Sequence, residues 1–478
     1  MLLTRFPLPR IARACVLAVA ALGSTVQAQP ATSDTLRLSL GEAVSIAMRQ
    51  SDEIGIAAAQ TDIAEAQFGV ARSSALPQLR FTSSYLKVYQ SARGQAVGSV
   101  FNQPNTYTGN LNLTQTIFQG GRLISATRAA DDIRQATRYD EREQRAQLTL
   151  VVQRAYLQVL FTDRIAQLQD QNLALASERL TQVEQFERAG RLARYDVLRA
   201  RVERSNIEPQ TIQARNDREL ALVDLKRILN LPIEQPVSLV TRIDSASAAG
   251  LLAALQDTSV VADRASIRSA ELNVAARRLG VSVARADFFP TLSVFFQTGY
   301  QAFPLTGLPT ANGSLANDFC TIGTPTATRC QNGGWFSDRQ AGVNVSMPVF
   351  DGFRVRSNVE LAQAQTRLAE LQLRQQREAV SVDVARARAE LRRSSAVFAA
   401  RQQNSAEADE AFRLATLRFS RGLSTQLEVS DSQLALLTAR STEARATYDL
   451  FLASADLARA LGRPIPFSPA TATLPASR

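Results

Sequence analysis

The chain has 478 residues, and its 54 Lys and Arg side chains exceed its 44 Asp and Glu side chains, giving a formal charge of +10. Acidic and basic residues are interleaved along the sequence, which is typical of solvated helix faces and argues against a nucleic-acid-binding patch. Histidine is absent, which excludes Ser-His-Asp and Cys-His nucleophiles, His-ligated zinc and His general bases. Because phosphate-binding and dinucleotide-binding glycine motifs are also missing, we expect no enzyme, no cofactor and no metal site.

Residues 1–28 have the pattern of a secretory signal peptide. Arg5, Arg10 and Arg13 precede an apolar run from Ala14 to Gly23, and a small-residue cleavage sequence follows. We expect this segment to be removed on export. No later stretch contains about 18 uninterrupted apolar residues, so the sequence predicts no membrane-spanning helix.

The second half of the chain repeats the pattern of the first half. The sequence NLNLTQTIFQGGR, which ends at Arg122, corresponds to GVNVSMPVFDGFR, which ends at Arg354. Likewise, AGRLARYDVLRA around Gly190 corresponds to RGLSTQLEVSDS around Gly422, with the same offset of 232 positions. A recurring offset indicates two copies of one structural unit. We predict a first repeat over residues 29–240 and a second over 241–478.

Each repeat has a pair of segments in which apolar and polar residues alternate, which is typical of strands with one apolar face. The first pair spans about 77–118, where Leu111 and Leu113 alternate with polar residues. The second pair spans about 290–350. Its second segment has apolar residues at the alternate positions Val343, Val345, Met347 and Val349. The sequence therefore predicts four strands.

A long segment without Gly or Pro follows each strand pair, at 122–189 and 353–421. At about 1.5 Å per residue, each segment would form a helix about 100 Å long. Coiled-coil spacing is present in the second segment at Leu361, Ala364, Leu368 and Leu371. Shorter helices are predicted on either side of each long helix, over about 41–74, 193–230, 249–287 and 424–461.

These elements predict a repeat in which one long helix lies beside two short helices stacked end to end. The strands lie at one end, and a helix-turn-helix tip, at Gly190 or Gly422, lies at the other. Four strands are too few to close a barrel, and open sheet edges are not tolerated in lipid. Three copies would supply about twelve strands, enough to surround a lumen. The predicted fold class is mainly α with membrane β: a homotrimeric channel-tunnel with a long α-helical barrel and a twelve-stranded β-barrel in contact with lipid.

A duct is one of two functional interpretations of this architecture. The other is a structural or adhesive coiled-coil protein that is anchored by a strand module and transports nothing. Only the duct requires a continuous lumen, so ion conductance in planar bilayers distinguishes the two interpretations.

The order and duplication of several motifs resemble the TolC-type outer membrane efflux protein family. They are LSLGEAVSIAMRQS near the start, FQGGR and FDGFR after the strand pairs, and AGRLARYDVLRA and RGLSTQLEVSDSQLALL at the tips. The resemblance covers nearly all of the chain after residue 28. It implies a homotrimeric duct in the outer membrane of a Gram-negative bacterium, with a large periplasmic portion. A periplasmic adaptor and an inner-membrane pump are the implied partners, in a tripartite efflux or type I secretion system.

In that family the tip is the closed end, narrowed by acidic residues, and the matching positions here are Asp196, Glu428 and Asp431. Glu428 has a second interpretation, because Thr425 and Glu428 have the spacing of a capping box. Asp431 lies too deep in its helix to be a cap. The resemblance therefore implies a periplasmic constriction at these acids.

Two other tip positions depart from the family pattern. The best-known member closes its tip with Tyr-to-acid and Arg-to-acid contacts, where this chain has Phe419 and Ser424. Neither side chain reproduces those contacts, so we expect the tip either to be held by packing or by other pairs, or to open more readily.

Two further features lie in or near the loops between strands. Cys320 and Cys330 lie in a Gly/Thr/Asn-rich segment, and export to an oxidising compartment favours a disulfide over two free thiols.

Aromatic residues cluster near the strand ends, where outer-membrane barrels carry aromatic girdles at the membrane boundary. These residues are Tyr85, Tyr89, Tyr107, Tyr300 and Trp335.

Overall fold

The computed structural model describes residues 35–90, 92–97, 104–241, 264–304, 308–309 and 335–463. The predicted signal peptide and the Cys320–Cys330 pair lie outside these residues. In chain order the elements are β1 (Leu36–Leu38), α1 (Leu40–Gln50), α2 (Asp52–Ser73), β2 (Gln78–Lys87), α3 (Ala92–Val97), β3 (Asn105–Gln119), α4 (Arg122–Arg188), α5 (Arg194–Ile228), β4 (Val237–Leu239), α6 (Ala265–Arg285), a 3-10 turn (Ala286–Phe288), β5 (Thr291–Ala302), β6 (Phe336–Ser346), α7 (Arg354–Ser420) and α8 (Gln426–Ala460).

The helices have matched lengths in the two halves of the chain. α4 and α7 each contain 67 residues, and α5 and α8 each contain 35. The long helices are therefore each about 100 Å long. Of the helix predicted over about 249–287, the described residues contain the part from Ala265 onward. Each helix in the described ranges is too short or too polar to span a lipid bilayer.

A four-stranded antiparallel sheet, in the order β2-β3-β5-β6, lies at one end of the long helices. The register places Leu79 of β2 opposite Leu113 of β3, and Leu113 opposite Phe296 of β5. Since side chains alternate between the two faces of a sheet, these residues share one apolar face. The alternation seen in the sequence therefore corresponds to a sheet with one apolar and one mainly polar face.

The fourth strand is shorter than the sequence predicts. β6 ends at Ser346, so Met347 and Val349 are not part of a strand. Pro348 lies between them, and its missing N–H prevents the ladder of hydrogen bonds from continuing. The alternation of apolar residues thus extends beyond the strand that it predicted.

The helices pack side by side in a fixed order. Next to the sheet, α4 lies between α2 and α6, and α6 packs against α7. Toward the tips, α4 lies between α5 and α8, and α8 packs against α7. One edge of the chain is therefore formed by β2, α2 and α5, and the other edge is formed by β6 and α7.

The first predicted helix, over about 41–74, is two helices. Ser51 has an extended backbone with φ −71° and ψ 128°, and it separates α1 from α2. Its hydroxyl accepts a hydrogen bond from the N–H of Glu53 and so caps α2. The sequence predicted no break here because neither neighbour of Ser51 is a proline or a glycine.

A short parallel sheet, which the sequence did not predict, joins the start of the described chain to the segment after α5. β1 pairs with β4 from Leu36 opposite Val237 to Leu38 opposite Leu239. Tyr156, in α4, is fully buried beside this sheet, and its hydroxyl donates to the carbonyl oxygen of Leu38 at 2.8 Å. An apolar core surrounds this point and includes Val44, Ala47, Val152, Leu225 and Leu229.

Left-handed backbone conformations occur where the strands lead into the long helices. Gly120 and Gly121 have φ of +54° and +78° before α4, and Gly352 and Phe353 have φ of +68° and +66° before α7. Glycine adopts this conformation without steric cost. At Gly120 there is a second constraint, because a Cβ atom would lie 2.6 Å from the carbonyl oxygen of Ala286. The first glycine of FQGGR is therefore required both for its φ and for a close approach.

Candidate functional site: the hairpin tips

The candidate site is the end of the molecule where each long helix turns back. α4 ends in a Schellman motif, in which Gly190 N–H donates to the Glu187 carbonyl at 2.9 Å. Arg191 N–H donates to the Phe186 carbonyl at 2.8 Å and completes the motif. Gly190 has φ +70°, which explains why a glycine occupies the turn.

α7 ends in the same motif. Gly422 N–H donates to the Phe419 carbonyl at 2.9 Å, and Leu423 N–H donates to the Arg418 carbonyl at 2.8 Å. Gly422 has φ +73°. Both tip glycines singled out in the sequence therefore lie in the turns that connect each long helix to its returning helix.

Asp196 serves as a cap for α5. Its carboxylate accepts a hydrogen bond from the N–H of Ala193, the N-cap residue, at 3.2 Å. A negative charge in the first turn also interacts favourably with the helix dipole. The structure thus gives Asp196 a local structural role, and its place in a constriction stays a prediction.

Glu428 forms an ion pair within its own hairpin. Arg418 Nη1, in the last turn of α7, lies 2.8 Å from Glu428 Oε1, in the first turn of α8. Thr425 Oγ accepts the N–H of Glu428 at 3.3 Å and so caps α8. The capping interpretation therefore applies to Thr425, whose hydroxyl caps α8. The Glu428 carboxylate does not act as the cap and binds Arg418 instead.

Asp431 is exposed and lies one turn further along α8. Together with Arg401, Asn404 and Leu434 it lines a shallow cleft between α7 and α8. Within the described ranges, the Asp431 carboxylate forms no ion pair at 4.0 Å or less. The three predicted constriction acids thus differ in their contacts. Asp196 caps a helix, Glu428 forms an ion pair with Arg418, and Asp431 forms no ion pair among the described residues.

A buried polar network joins the two hairpins above the tip. Arg179 of α4 is 8% exposed, and its Nη1 lies 2.9 Å from Ser430 Oγ and 3.5 Å from Glu203 Oε1. The Ser430 hydroxyl donates to the Glu203 carboxylate at 3.0 Å. Burial lowers the pKa of the Arg179 guanidinium, and the nearby Glu203 carboxylate opposes this effect. Three helices, α4, α5 and α8, therefore meet at one charged group.

A second buried contact crosses the same seam. The Gln433 side-chain amide donates to Asn172 Oδ1 at 2.6 Å, and both residues are buried. Neither contact was predicted from the sequence. A usable signal was present in the repeat, because Ser430 corresponds to Leu198 at the offset of 232 positions. A polar residue where the other copy has an apolar one marks a place where the two halves pack differently.

In the described part of the chain, neither Phe419 nor Ser424 forms a hydrogen bond with a carboxylate. The backbone carbonyl of Phe419 accepts the Gly422 N–H, and the Ser424 hydroxyl points to the Thr425 carbonyl at 3.4 Å. Charged contacts near the tip are formed instead by Arg418 and Arg179, and by Arg201 of α5 with Glu184 of α4 at 3.2 Å.

The aromatic residues lie at the loop-side end of the sheet, opposite the tips. Tyr85 of β2 and Tyr107 of β3 are register partners, and their rings stack with centroids 4.6 Å apart. Tyr300 lies near the end of β5, Trp335 lies immediately before β6, and Tyr89 follows β2 and is 88% exposed. All five residues are therefore at one level of the sheet.

Comparisons with known proteins relate the chain to outer membrane proteins. A family model described as outer membrane efflux protein matches residues 43–231 and 258–463, one match in each half. Pyoverdine export outer membrane protein OpmQ of Pseudomonas putida is 26% identical over 446 residues, which cover 88% of this chain and 85% of that protein. Outer membrane protein TolC of Escherichia coli is 25% identical over 416 residues, which cover 86% of this chain and 79% of that protein.

Solved structures share the fold of long helices with a few strands. The chain matches CusC with a TM-score of 0.71 and 17% identity, covering 89% of this chain and 92% of that chain. It matches VceC from Vibrio cholerae with a TM-score of 0.68 and 19% identity, covering 89% and 96%. These matches confirm the predicted fold of long helices with a few strands, as in outer membrane channel-tunnels, while the trimer and the closed twelve-stranded barrel stay predictions. The family model confirms the resemblance drawn from the sequence motifs. The chain belongs to the outer membrane efflux protein family.

Proposed function

We propose that three copies of this chain form the exit duct of a tripartite efflux or type I secretion system. The duct receives substrates from an inner-membrane pump through a periplasmic adaptor and releases them outside the cell. As an outer membrane efflux protein, the chain lies in the outer membrane of a Gram-negative bacterium with its long helices in the periplasm. The observation that carries the trimer is the pair of open edges, formed by β2, α2 and α5 on one side and by β6 and α7 on the other.

Both helical edges expose apolar side chains at heptad spacing. On α2, Ile56, Ile63 and Val70 are 60%, 57% and 68% exposed. On α7, Leu361 and Leu368 are 58% and 56% exposed. A heptad stripe of this kind is typical of a helix that packs against another helix. Because α2 and α7 lie on opposite edges, the two stripes are separated within one chain and are free to meet between copies.

The sheet has open edges on the same two sides. β2 and β6 are the edge strands of the order β2-β3-β5-β6, and they run in opposite directions, so β6 of one copy can pair antiparallel with β2 of the next. Unpaired strand edges are costly in lipid, and closing the ring removes them. Two copies would give about eight strands, whose interior is filled by side chains, whereas three give about twelve and a lumen.

In this ring the hairpin tips converge at the periplasmic opening. We propose that Asp431, Glu428 and Asp196 lie around this opening, on the turns formed by Gly190 and Gly422. At the other end, the aromatic residues mark the membrane boundary and contact lipid; they are Tyr85, Tyr89, Tyr107, Tyr300 and Trp335.

Disulfide cross-linking tests how neighbouring copies pack. At about 1.5 Å per helical residue, Ile63 lies about 15 Å from the sheet end of α2 and Leu368 about 21 Å from the sheet end of α7, so the two are at similar heights. With Ile63→Cys and Leu368→Cys in one chain, we expect oxidation to give covalent dimers and trimers on a non-reducing gel. Each single variant is the matched control and should give no ladder.

Ion conductance tests the duct itself. The purified chain should have the mass of a trimer in detergent and should conduct ions in planar bilayers. A stable monomer or dimer would contradict the trimer. A trimer that never conducts would instead support the structural or adhesive interpretation, which needs no lumen.

A further inference from the structure

We propose that Arg418 controls the ion selectivity of the tip opening by neutralising Glu428 within each hairpin. The proposal rests on the duct proposed above and adds one determinant of what passes through it. It departs from the expectation drawn from the sequence, in which Glu428 and Asp431 both present unpaired carboxylates. With Glu428 paired, one of the two predicted constriction acids in the second hairpin is neutralised, so the acidic character of the opening depends on Arg418.

The backbone of the turn holds the two side chains in place. The carbonyl oxygen of Arg418 accepts the N–H of Leu423 at 2.8 Å, and the N–H of Glu428 donates to Thr425 Oγ at 3.3 Å. Both members of the ion pair thus belong to residues whose backbone is fixed by the Schellman motif or by the helix cap. Since both lie in one hairpin, the pair moves with that hairpin when the tip moves.

The first hairpin shows that the ion pair is not needed to build the turn. At the offset of 232 positions, Arg418 and Glu428 correspond to Phe186 and Asp196. Phe186 carries no charge, yet its carbonyl accepts the Arg191 N–H in the same Schellman motif. The cation at position 418 is therefore particular to the second hairpin, and the fold of the turn does not require it.

Charges are balanced around the turn of the second hairpin. Between residues 418 and 431, two acids are matched by two arginines, and one of each forms the Arg418–Glu428 ion pair at 2.8 Å. The two side chains of this pair are 56% and 41% exposed, so both are accessible to ions in solution. The turn therefore carries little net charge, although it contains two of the three predicted constriction acids.

Removal of one partner changes this balance by a full charge. The potential of the paired side chains falls off quickly with distance, because their opposite charges nearly cancel. The potential of an unpaired Glu428 carboxylate would extend over about 8 Å, the Debye length at physiological ionic strength. Three copies around one axis repeat the change three times. A narrow opening lined by charge of one sign concentrates counter-ions by about tenfold or more.

Reversal potentials across a KCl gradient test the proposal on the purified full chain in planar bilayers. We expect Arg418→Gln to raise the cation-to-anion permeability ratio by about tenfold at low salt. Glu428→Gln should shift it toward anions, because Arg418 is then left unpaired. The double variant should return to the wild-type value, since it restores the charge balance. At about 1 M salt, where the Debye length is about 3 Å, the differences should shrink.

Arg413→Gln is the matched control, because it removes an arginine of similar exposure from the same helix and leaves Arg418 and Glu428 in place. Arg413 lies about 8 Å further from the turn than Arg418, and its partner Glu410 is further still, so the acid it leaves unpaired lies beyond about one Debye length from the turn. We expect it to keep the wild-type permeability ratio. Arg418→Lys retains the charge and should also behave as wild type. An Arg418→Gln channel that conducts with the wild-type ratio would overturn the proposal, as would an unchanged ratio in Glu428→Gln. Absence of any conductance in the wild-type chain would instead contradict the duct.

Discussion

The guanidinium of Arg179 on α4 lies 2.9 Å from the hydroxyl of Ser430 on α8, so a buried charge joins the two halves of the chain. Replacing Arg179 with Met keeps most of the side-chain volume but leaves Glu203 and Ser430 without their cationic partner. We expect the free energy of unfolding to fall by about 1–3 kcal/mol, measured by thermal denaturation of the assembled protein in detergent.

The control is Arg215, a surface arginine that joins α5 to α4. These are also the two helices that Arg179 and Glu203 connect. Arg215 of α5 pairs with Asp170 of α4 at 2.7 Å, and the two side chains are 57% and 43% exposed. Because exposed ion pairs contribute little, Arg215→Met should cost less than about 1 kcal/mol. Equal losses in Arg179→Met and Arg215→Met would show that burial of Arg179 is unimportant.

Adjacent glycines at the start of α4 should differ in their response to alanine. Gly120 and Gly121 both have positive φ, but a Cβ at Gly120 would meet the Ala286 carbonyl oxygen at 2.6 Å, whereas Gly121 has open space around it. Gly121→Ala should cost about 1–2 kcal/mol from the backbone alone. Gly120→Ala should cost more and reduce the yield of assembled protein, and a milder effect at Gly120 than at Gly121 would contradict this.

Tyr156 ties α4 to the short parallel sheet. Its buried hydroxyl donates to the Leu38 carbonyl at 2.8 Å and accepts the Thr241 N–H at 3.3 Å. Tyr156→Phe removes the acceptor of the Thr241 N–H, while the Leu38 carbonyl keeps the hydrogen bond from the Val240 N–H at 2.9 Å, and we expect a cost of about 1–2 kcal/mol. Hydrogen exchange should become faster in β1 and β4 while exchange at the α7–α8 hairpin stays unchanged. A uniform increase along the chain would argue for a global rather than a local effect.

A pH-dependent contact links α6 to α7. Glu271 accepts hydrogen bonds from Arg377 at 2.7 Å and from Arg268 at 2.9 Å, and these arginines lower the pKa of Glu271 below its ordinary value of 4.5. A lowered pKa means that the stabilisation is fully present above pH 4.5 and is lost as the pH falls through the folded-state pKa. Both arginines are substantially exposed, so the contribution should be about 0.5 kcal/mol.

The variant Glu271→Gln tests this sign. We expect it to lower the Tm slightly at neutral pH and to match the wild-type Tm at a pH well below 4.5. A difference in Tm that is as large in acid as at neutral pH would mean that Glu271 stabilises the protein without its charge.

Cys320 and Cys330 remain a prediction from the sequence, because they lie outside the described residues. We expect an intrachain disulfide, since the protein is exported and the two cysteines lie ten positions apart in a loop segment. A thiol reagent should label neither residue in the unreduced, mature protein and both after reduction. Quantitative labelling of both residues without a reductant would contradict the prediction.

The long helices were the most predictable part of this fold, and short elements were the least predictable. The absence of Gly and Pro between the turn glycines places α4 and α7 to within a residue or two. β1 and β4 contain three residues each and are far apart in sequence, so neither has a detectable period. The break at Ser51 depends on one side-chain cap, which competes with an otherwise continuous helical pattern.

The candidate site was predictable in its position but not in its charge state. The tip glycines and acids follow from the repeat and from the resemblance, because both depend on spacing along the chain. The ion pair between Arg418 and Glu428 does not follow from the repeat or from the resemblance. The Schellman turn brings the two side chains together across the hairpin, and spacing along the chain does not specify that contact. Arg179 was missed for the same reason, since its partners lie on two other helices.

The uninterrupted length of α4 and α7 has a mechanical consequence. Each helix is a lever of 67 residues with the sheet at one end and a turn at the other. A lever about 100 Å long that tilts by about 1° at the sheet moves its far end by about 2 Å. Displacements comparable to the radius of an ion therefore require only small adjustments of packing, distributed over many helical turns. The same leverage means that a force applied at the turns acts on the sheet with a long moment arm.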